Sequence, residues 1–142
     1  MTNSQYINAY KKAQQSSNDV ISSHEIVRTL MRELVNSMQK IVLDIQDERT
    51  RKHNQFLIDK EFEEKNARHK SKNLSKSLSI IFGLQTSLDF DKALEISNNL
   101  FQLYEFCRLQ IIDAFRHNKS DGLKKSYDAL SQIVLAWDTM EK

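Results

Sequence analysis

The sequence predicts an all-α fold, an antiparallel four-helix bundle with a partly ordered N-terminal tail, on three observations. The chain of 142 residues contains no proline and only two glycines. β-Sandwiches, barrels and doubly wound α/β folds need many more of these residues in their turns and phosphate-binding loops. Apolar residues recur at steps of three and four over long stretches, as they do in amphipathic helices. Short polar breaks separate these stretches, so consecutive helices are expected to pack antiparallel.

Length, charge and hydropathy narrow the classes of function. The length suits one domain, so we interpret 1–142 as a single helical bundle, with a tail at 1–21 and the bundle at 22–142. The formal net charge is only +2, which argues against a nucleic-acid binder. No apolar run approaches the roughly 18 residues of a membrane span, and no secretory signal opens the chain. We therefore expect a cytoplasmic protein with no direct membrane insertion.

The first two helices are predicted from apolar spacing. The first begins at Ser22 or Ser23 and carries an apolar face about five turns long, formed by Ile26, Val27, Leu30, Met31, Leu34, Val35, Met38, Ile41, Val42 and Ile45. Between 47 and 72 charge dominates, with acids before bases, which predicts the exposed first part of a second helix. The predicted core stripe of that helix is Leu74, Leu78, Ile81, Phe82 and Leu88.

The last two helices follow two polar breaks. The third begins after 89–91, where Asp89 or Asp91 can cap it, and runs to about His117. Its predicted core stripe is Ala93, Ile96, Leu100, Leu103, Tyr104, Cys107, Ile111 and Ala114. The fourth follows a turn at 118–122 and carries Leu123, Tyr127, Leu130, Ile133, Val134, Trp137 and Met140.

No residue pattern supports catalysis or metal binding. None of the four histidines lies three residues after an acid, and no two lie four apart, so the di-iron and zinc-protease helix patterns are missing. Cys107 lies within an apolar stripe, which favours a buried, inert thiol. Gly83 falls inside a helical pattern, where a small residue favours close helix packing. We therefore expect no enzyme, no cofactor and no metal.

The predicted helices carry more apolar residues than a small bundle can bury. Leu94, Phe101 and Ile112 lie about 100–120° from the centre of the third-helix stripe, and Ile80 and Leu84 point away from the second-helix stripe. A helix that is apolar on most sides needs a cover. We predict that these five residues line a groove for a partner.

The residues alone are compatible with three structures that could cover this surplus apolar surface. They are the chain's own tail, which carries Ile7 and Tyr10, a second copy of the chain, and the amphipathic helix of a partner. We favour the partner, with Ile7 and Tyr10 at the rim of the groove or as a displaceable cap. The alternative is a self-associating structural bundle whose extra apolar face is a homodimer interface.

Four stretches of the chain carry a family resemblance. They are Ile-Asn-Ala-Tyr at 7–10, the segment 22–34, the segment 74–106, and Ala-Trp at 136–137. The most specific pattern is Ile-x-x-Asn-Leu-x-x-Leu-Tyr, from Ile96 to Tyr104. In these stretches the chain resembles the FliS family, the flagellar secretion chaperones of flagellin. It departs from the family in its longer, more charged segment 47–71 and in Ser23, where members often have proline.

The resemblance implies a function as well as a fold. Members of the family bind the C-terminal segment of newly made flagellin in the cytoplasm and prevent its premature polymerisation. They deliver it to the cytoplasmic domain of the flagellar export gate. In the family that segment is disordered alone and wraps the chaperone, partly as helices. Neither ATP nor a metal is implied, and the free form is expected to be a monomer or a weak dimer.

Overall fold

Four helices joined by short connections make up the described part of the chain. The computed structural model describes residues 23–54 and 58–140, and these form α1 (Ser23–His53), α2 (Lys60–Thr86), α3 (Leu94–His117) and α4 (Asp121–Met140). Each helix packs against the next, and α4 packs back against α1. Because each short connection reverses the chain, the prediction of an antiparallel four-helix bundle is confirmed. The predicted tail, 1–21, lies outside the described residues.

The core lies along the axis of this bundle, and α1 contributes much of it. The apolar face predicted for the first helix turns inward, and Met31, Leu34, Met38, Ile41 and Ile45 are fully buried. They belong to one cluster with buried residues of the other three helices: Ile80, Ile81, Leu84, Tyr104, Cys107, Ile111, Leu123 and Leu130. Each large apolar side chain buried in this way stabilises the fold by about 1.5–3 kcal/mol.

Hydrogen bonds from side chains fix two of the turns. Asp59 caps α2, because its carboxylate accepts a hydrogen bond of 2.8 Å from the backbone N–H of Phe62. Asp89 or Asp91 was predicted to cap α3, but the N-cap position falls on Ala93, which provides no side-chain hydrogen bond. Asp89 instead accepts from the backbone N–H groups of Asp91 and Lys92. It therefore closes the preceding turn and lies too early in the chain to cap the helix.

The orientation of α2 differs from the prediction. Ile80 and Leu84, predicted to point outward, are each only 1% exposed, whereas Phe82, predicted to be core, is 53% exposed. The line of α2 that faces the core begins with two buried polar residues, Asn73 and Ser77, and continues with the apolar residues Ile80, Ile81 and Leu84. Hydropathy could not detect the polar half of this line, so the predicted stripe was shifted to one side.

Two smaller predictions for α2 and α3 are also wrong. Ile96 is exposed although it was placed in the core stripe, because the first turn of α3 lies at the end of the bundle. Gly83 was expected to permit close helix packing. A Cβ atom at Gly83 would meet no heavy atom within 4 Å, so no neighbouring helix requires a glycine there.

The end of α1 and the beginning of α2 project past the turn between α3 and α4. That turn lies beside Arg49 and Lys70, because Arg49 Nε donates to the Asn118 carbonyl (3.1 Å) and Lys70 Nζ donates to Asn118 Oδ1 (3.3 Å). We call the projecting residues 50–54 and 58–69 the charged extension. Phe62 is half-buried within it, with the Arg51 guanidinium 4.2 Å from its ring centroid. The charged segment 47–72, predicted as the exposed first part of the second helix, is mostly exposed, but only 60–72 belong to α2, whereas 47–53 form the end of α1.

Candidate partner-binding surface

The candidate site is the outer surface between α2 and α3, which we call the α2–α3 surface. Gln85 Nε2 donates to Glu105 Oε1 (3.3 Å), which sets the antiparallel register of these helices. In the turn that connects them, the ring of Phe90 meets the ring of Phe101 edge to face, with centroids 6.2 Å apart. The surface is formed by Leu78, Phe82, Gln85, Phe90, Leu94, Phe101, Glu105, Arg108 and Ile112.

On α3, one line of side chains forms this surface. Leu94, Phe101, Glu105, Arg108 and Ile112 follow one another at steps of seven, four, three and four, so they share one side of the helix. Leu94 is 60% exposed, and the other four are half-buried. The three apolar members are thus accessible together and are not sealed inside the bundle.

On α2, the matching wall is formed by Leu78, Phe82 and Gln85, at steps of four and three. Because Gln85 pairs with Glu105 in an antiparallel register, Phe82 lies level with Arg108, and Leu78 lies level with Ile112. The surface therefore has a polar centre between two apolar ends.

A bidentate ion pair occupies the polar centre. Arg108 Nε donates to Glu105 Oε1 at 2.7 Å, and Arg108 Nη2 donates to Glu105 Oε2 at 2.8 Å. The hydrogen bonds from Arg108 lower the pKa of Glu105 against the opposing effect of desolvation, and Gln85 lowers it further. The same pairing raises the pKa of Arg108. Both side chains are therefore charged at neutral pH.

Three of the predicted partner-binding residues lie on this surface: Leu94, Phe101 and Ile112. Ile80 and Leu84 do not, and their assignment to an open groove is corrected. The two polar residues that precede them on the core line of α2 hid the true orientation of that helix, so both side chains fill the core.

The sequence analysis missed several residues of the surface, and two others cannot be placed. Ile7 and Tyr10 lie outside the described residues. Gln85, Glu105 and Arg108 were missed because polar side chains on a helix are ordinarily solvent-facing. The signal that could have found the last two is their spacing, since they lie four and seven residues after Phe101.

A second apolar groove runs between α1 and α4 on another side of the bundle. Two cavities of about 350 and 380 Å³ open along it. Leu43 and Leu135 border these cavities and are 63% and 64% exposed. The sequence analysis did not identify this groove, because each of these leucines stands alone outside its helix's predicted stripe.

The described residues offer neither a metal-binding cluster nor an accessible thiol. No group of three or more His, Cys, Asp or Glu side chains there could hold a metal ion. Burial raises the pKa of the Cys107 thiol to about 12, and Cys107 Sγ donates to the Ser126 carbonyl at 3.8 Å. This thiol is therefore protonated and poorly nucleophilic at neutral pH. Among the helices of residues 23–54 and 58–140, none combines the length and the hydropathy that crossing a membrane requires.

The chain also matches known proteins. The family model described as "Flagellar protein FliS" matches residues 6–142. The chain belongs to the FliS family. The flagellar secretion chaperone FliS of Vibrio cholerae is 35% identical over 69 residues, which cover 49% of this chain and 51% of the relative. The protein of the same name from Salmonella typhimurium is 35% identical over 69 residues, covering 48% and 51%. These matches span about half the length of each relative, and no solved structure matches the chain.

Membership of the FliS family confirms the resemblance inferred from the pattern at 96–104. In this FliS chain the pattern forms the first part of α3. Tyr104 is buried in the core, and Leu100 and Leu103 pack against it as half-buried residues. Phe101, within the same pattern, lies on the α2–α3 surface.

Proposed function

We propose that this chain is a cytoplasmic export chaperone that binds the C-terminal segment of flagellin. It prevents premature polymerisation of flagellin and hands it to the cytoplasmic domain of the flagellar export gate. Family membership supports this function, since two relatives carry the name flagellar secretion chaperone. The single structural observation that carries it is the accessible apolar surface between α2 and α3.

Binding is driven by covering that surface. Three large apolar side chains of this surface are each at least 39% exposed: Phe82, Phe90 and Leu94. A flagellin segment that folds onto the chaperone would bury on the order of 1,000–3,000 Å² while losing several kcal/mol to ordering. Apolar burial contributes about 25 cal/mol per Å² and offsets that loss. No nucleotide is needed, and a segment held in this way is withheld from assembly with other flagellin subunits.

In this proposal the N-terminal tail competes for the same apolar cover. Ile7 and Tyr10 act at the rim of the groove or as a cap that the client displaces, which keeps the surface protected in the free chaperone. Deleting residues 1–21 should then strengthen binding of the flagellin segment if the tail is a competing cap, and should weaken it if the tail forms the rim.

Charged substitutions on the α2–α3 surface test the proposal. Leu94→Asp, Phe101→Asp and Ile112→Asp each place a carboxylate where the client's apolar side chains would lie. We expect at least tenfold weaker binding of a flagellin C-terminal peptide in calorimetry, because each removes about 1.5–3 kcal/mol of apolar burial. Leu94 is the most exposed of the three, so its variant has the lowest risk of misfolding.

The α1–α4 groove offers a matched control. Leu43→Asp makes the same chemical change at a leucine of nearly equal exposure, and we expect it to bind the peptide as the wild type does. Circular dichroism and thermal unfolding confirm that each variant is folded. If folded Leu94→Asp and Phe101→Asp bind the peptide normally, the α2–α3 surface is not the client site.

The α1–α4 groove itself favours one alternative, a self-associating bundle. Its two cavities and its exposed leucines could be covered by a second copy of the chain. Sedimentation velocity over a concentration series separates the two functions. A monomer or weak dimer that forms a stoichiometric complex with the flagellin peptide supports the chaperone, whereas a tight dimer that ignores the peptide supports the alternative.

A further inference from the structure

Hydrogen bonding at the centre of the α2–α3 surface is unbalanced. The Glu105 carboxylate accepts from Arg108 Nε, Arg108 Nη2 and Gln85 Nε2, so both of its oxygens are engaged. The Arg108 guanidinium uses only two N–H groups in these bonds, and its Nη1 group finds no acceptor among residues 23–54 and 58–140. The Arg108 guanidinium therefore keeps N–H groups that no described residue engages.

We propose that Arg108 binds a side-chain oxygen of the client and fixes the register of the bound helix. The occupant is an amphipathic helix of flagellin's C-terminal segment that carries Asp, Glu, Asn or Gln between two apolar positions. This inference rests on the proposed function, because it names the chemistry that the same surface selects.

Desolvation is the physical reason for this selectivity. A helix that covers Phe101 and Ile112 also removes water from Arg108, which lies between them on the same line of α3. A guanidinium whose N–H groups lose water without gaining an acceptor weakens binding, whereas a carboxylate or amide oxygen restores the lost hydrogen bonds. A helix bound one turn out of place cannot present that oxygen, so incorrect registers are disfavoured.

The spacing on α3 predicts the spacing on the client. Phe101 and Ile112 are eleven residues apart, about 16 Å along a helix axis. Arg108 lies four residues before Ile112, about 6 Å from its level. The client helix should therefore present its acceptor about one turn from the apolar residue over Ile112 and about two turns from the apolar residue over Phe101.

Substitution of Arg108 by leucine changes the affinity for the flagellin peptide in opposite directions, depending on whether the surface binds only through apolar contact or also through hydrogen bonds from Arg108. When the parent protein and the Arg108→Leu variant both also carry Glu105→Gln, so that no unpaired carboxylate remains, Leu at position 108 enlarges the apolar area, and a surface that binds only through apolar contact would bind the flagellin peptide equally well or more tightly. The inference predicts roughly tenfold to hundredfold weaker binding by Arg108→Leu, because a hydrogen bond to a charged group is lost. Arg68→Leu, an identical change at an exposed residue of the charged extension, should bind like the wild type. Arg108→Gln should be folded and weakened if Arg108→Leu does not fold.

Substitutions in the peptide identify the client residue that Arg108 binds. Each Asp, Glu, Asn and Gln of the flagellin peptide is replaced by alanine and measured against the wild type and Arg108→Leu. One replacement should weaken binding to the wild type and have little further effect on Arg108→Leu, since the interaction is already absent. If every peptide change has the same effect on both chaperones, or if Arg108→Leu binds normally, the inference is wrong and the proposed function stands. If the wild type does not bind the peptide, both are wrong.

Discussion

At the scale of single residues, Glu48 connects the two helices of the charged extension to the rest of the bundle. Its carboxylate accepts hydrogen bonds from Lys70 Nζ (3.1 Å) and Asn66 Nδ2 (3.2 Å) on α2, and it also pairs with Lys52 on α1. Burial opposes its charge, but the hydrogen bonds and charges of Lys70 and Lys52 outweigh burial and hold the pKa of Glu48 below its usual value of 4.5. The carboxylate is therefore a stabilising group in the folded state.

This lowered pKa predicts how stability depends on pH. Because the folded-state pKa lies below the unfolded-state value, the stabilisation is fully present above about pH 4.5 and is lost as the pH falls through the lowered folded-state pKa. We expect Glu48→Gln to cost about 1 kcal/mol at pH 7, with the difference from the wild type shrinking toward pH 3. Urea unfolding at a series of pH values measures it.

A more exposed acid within the charged extension is the control for Glu48. Within residues 23–54 and 58–140, the one ion pair of Glu64 is a long contact of 4.0 Å with the highly exposed Lys60. Glu64→Gln should therefore change the free energy of unfolding much less at every pH. A Glu48→Gln variant whose stability matches the wild type at pH 7, or a difference that grows on acidification, contradicts this account.

At the scale of helices, the sequence predicted the existence of each element better than its orientation or, for α1 and α2, its ends. The face of α1 was predicted correctly because its inward positions are almost all apolar. α2 was misoriented because Asn73 and Ser77 occupy half of its core line. Hydropathy detects only the apolar residues among those that face the core. The orientation of α2 is decided by its packing against α1 and α3, which a pattern within one helix does not contain.

The same helix provides a prediction about glycine. Gly83 lies in the interior of α2, and a Cβ atom there would have no heavy atom within 4 Å. Because alanine favours a helix interior over glycine and restricts the unfolded chain, Gly83→Ala should raise the free energy of unfolding by about 0.5–1 kcal/mol. Chemical denaturation measures this change. A loss of stability instead would show that a neighbouring helix approaches Gly83 more closely than the structure indicates.

At the scale of the whole molecule, the fold class and the surplus of apolar side chains were predictable, but their distribution was not. Leu94, Phe101 and Ile112 were correctly predicted to lie away from the core of α3, since one helix periodicity suffices for that inference. The polar centre formed by Glu105 and Arg108 is completed by Gln85 of α2, which no pattern within α3 reveals. The α1–α4 groove likewise arises from two helices that are far apart in sequence.

The bundle thus presents two apolar surfaces on different sides, and the central claim is that the client occupies the one between α2 and α3. The most direct test is a titration of methyl-labelled protein with the flagellin C-terminal peptide, followed by nuclear magnetic resonance. The account predicts that the methyl signals of Leu78, Leu94 and Ile112 shift or broaden, while those of Leu43 and Leu135 stay unchanged. Shifts confined to Leu43 and Leu135, or no shifts at all, would contradict it.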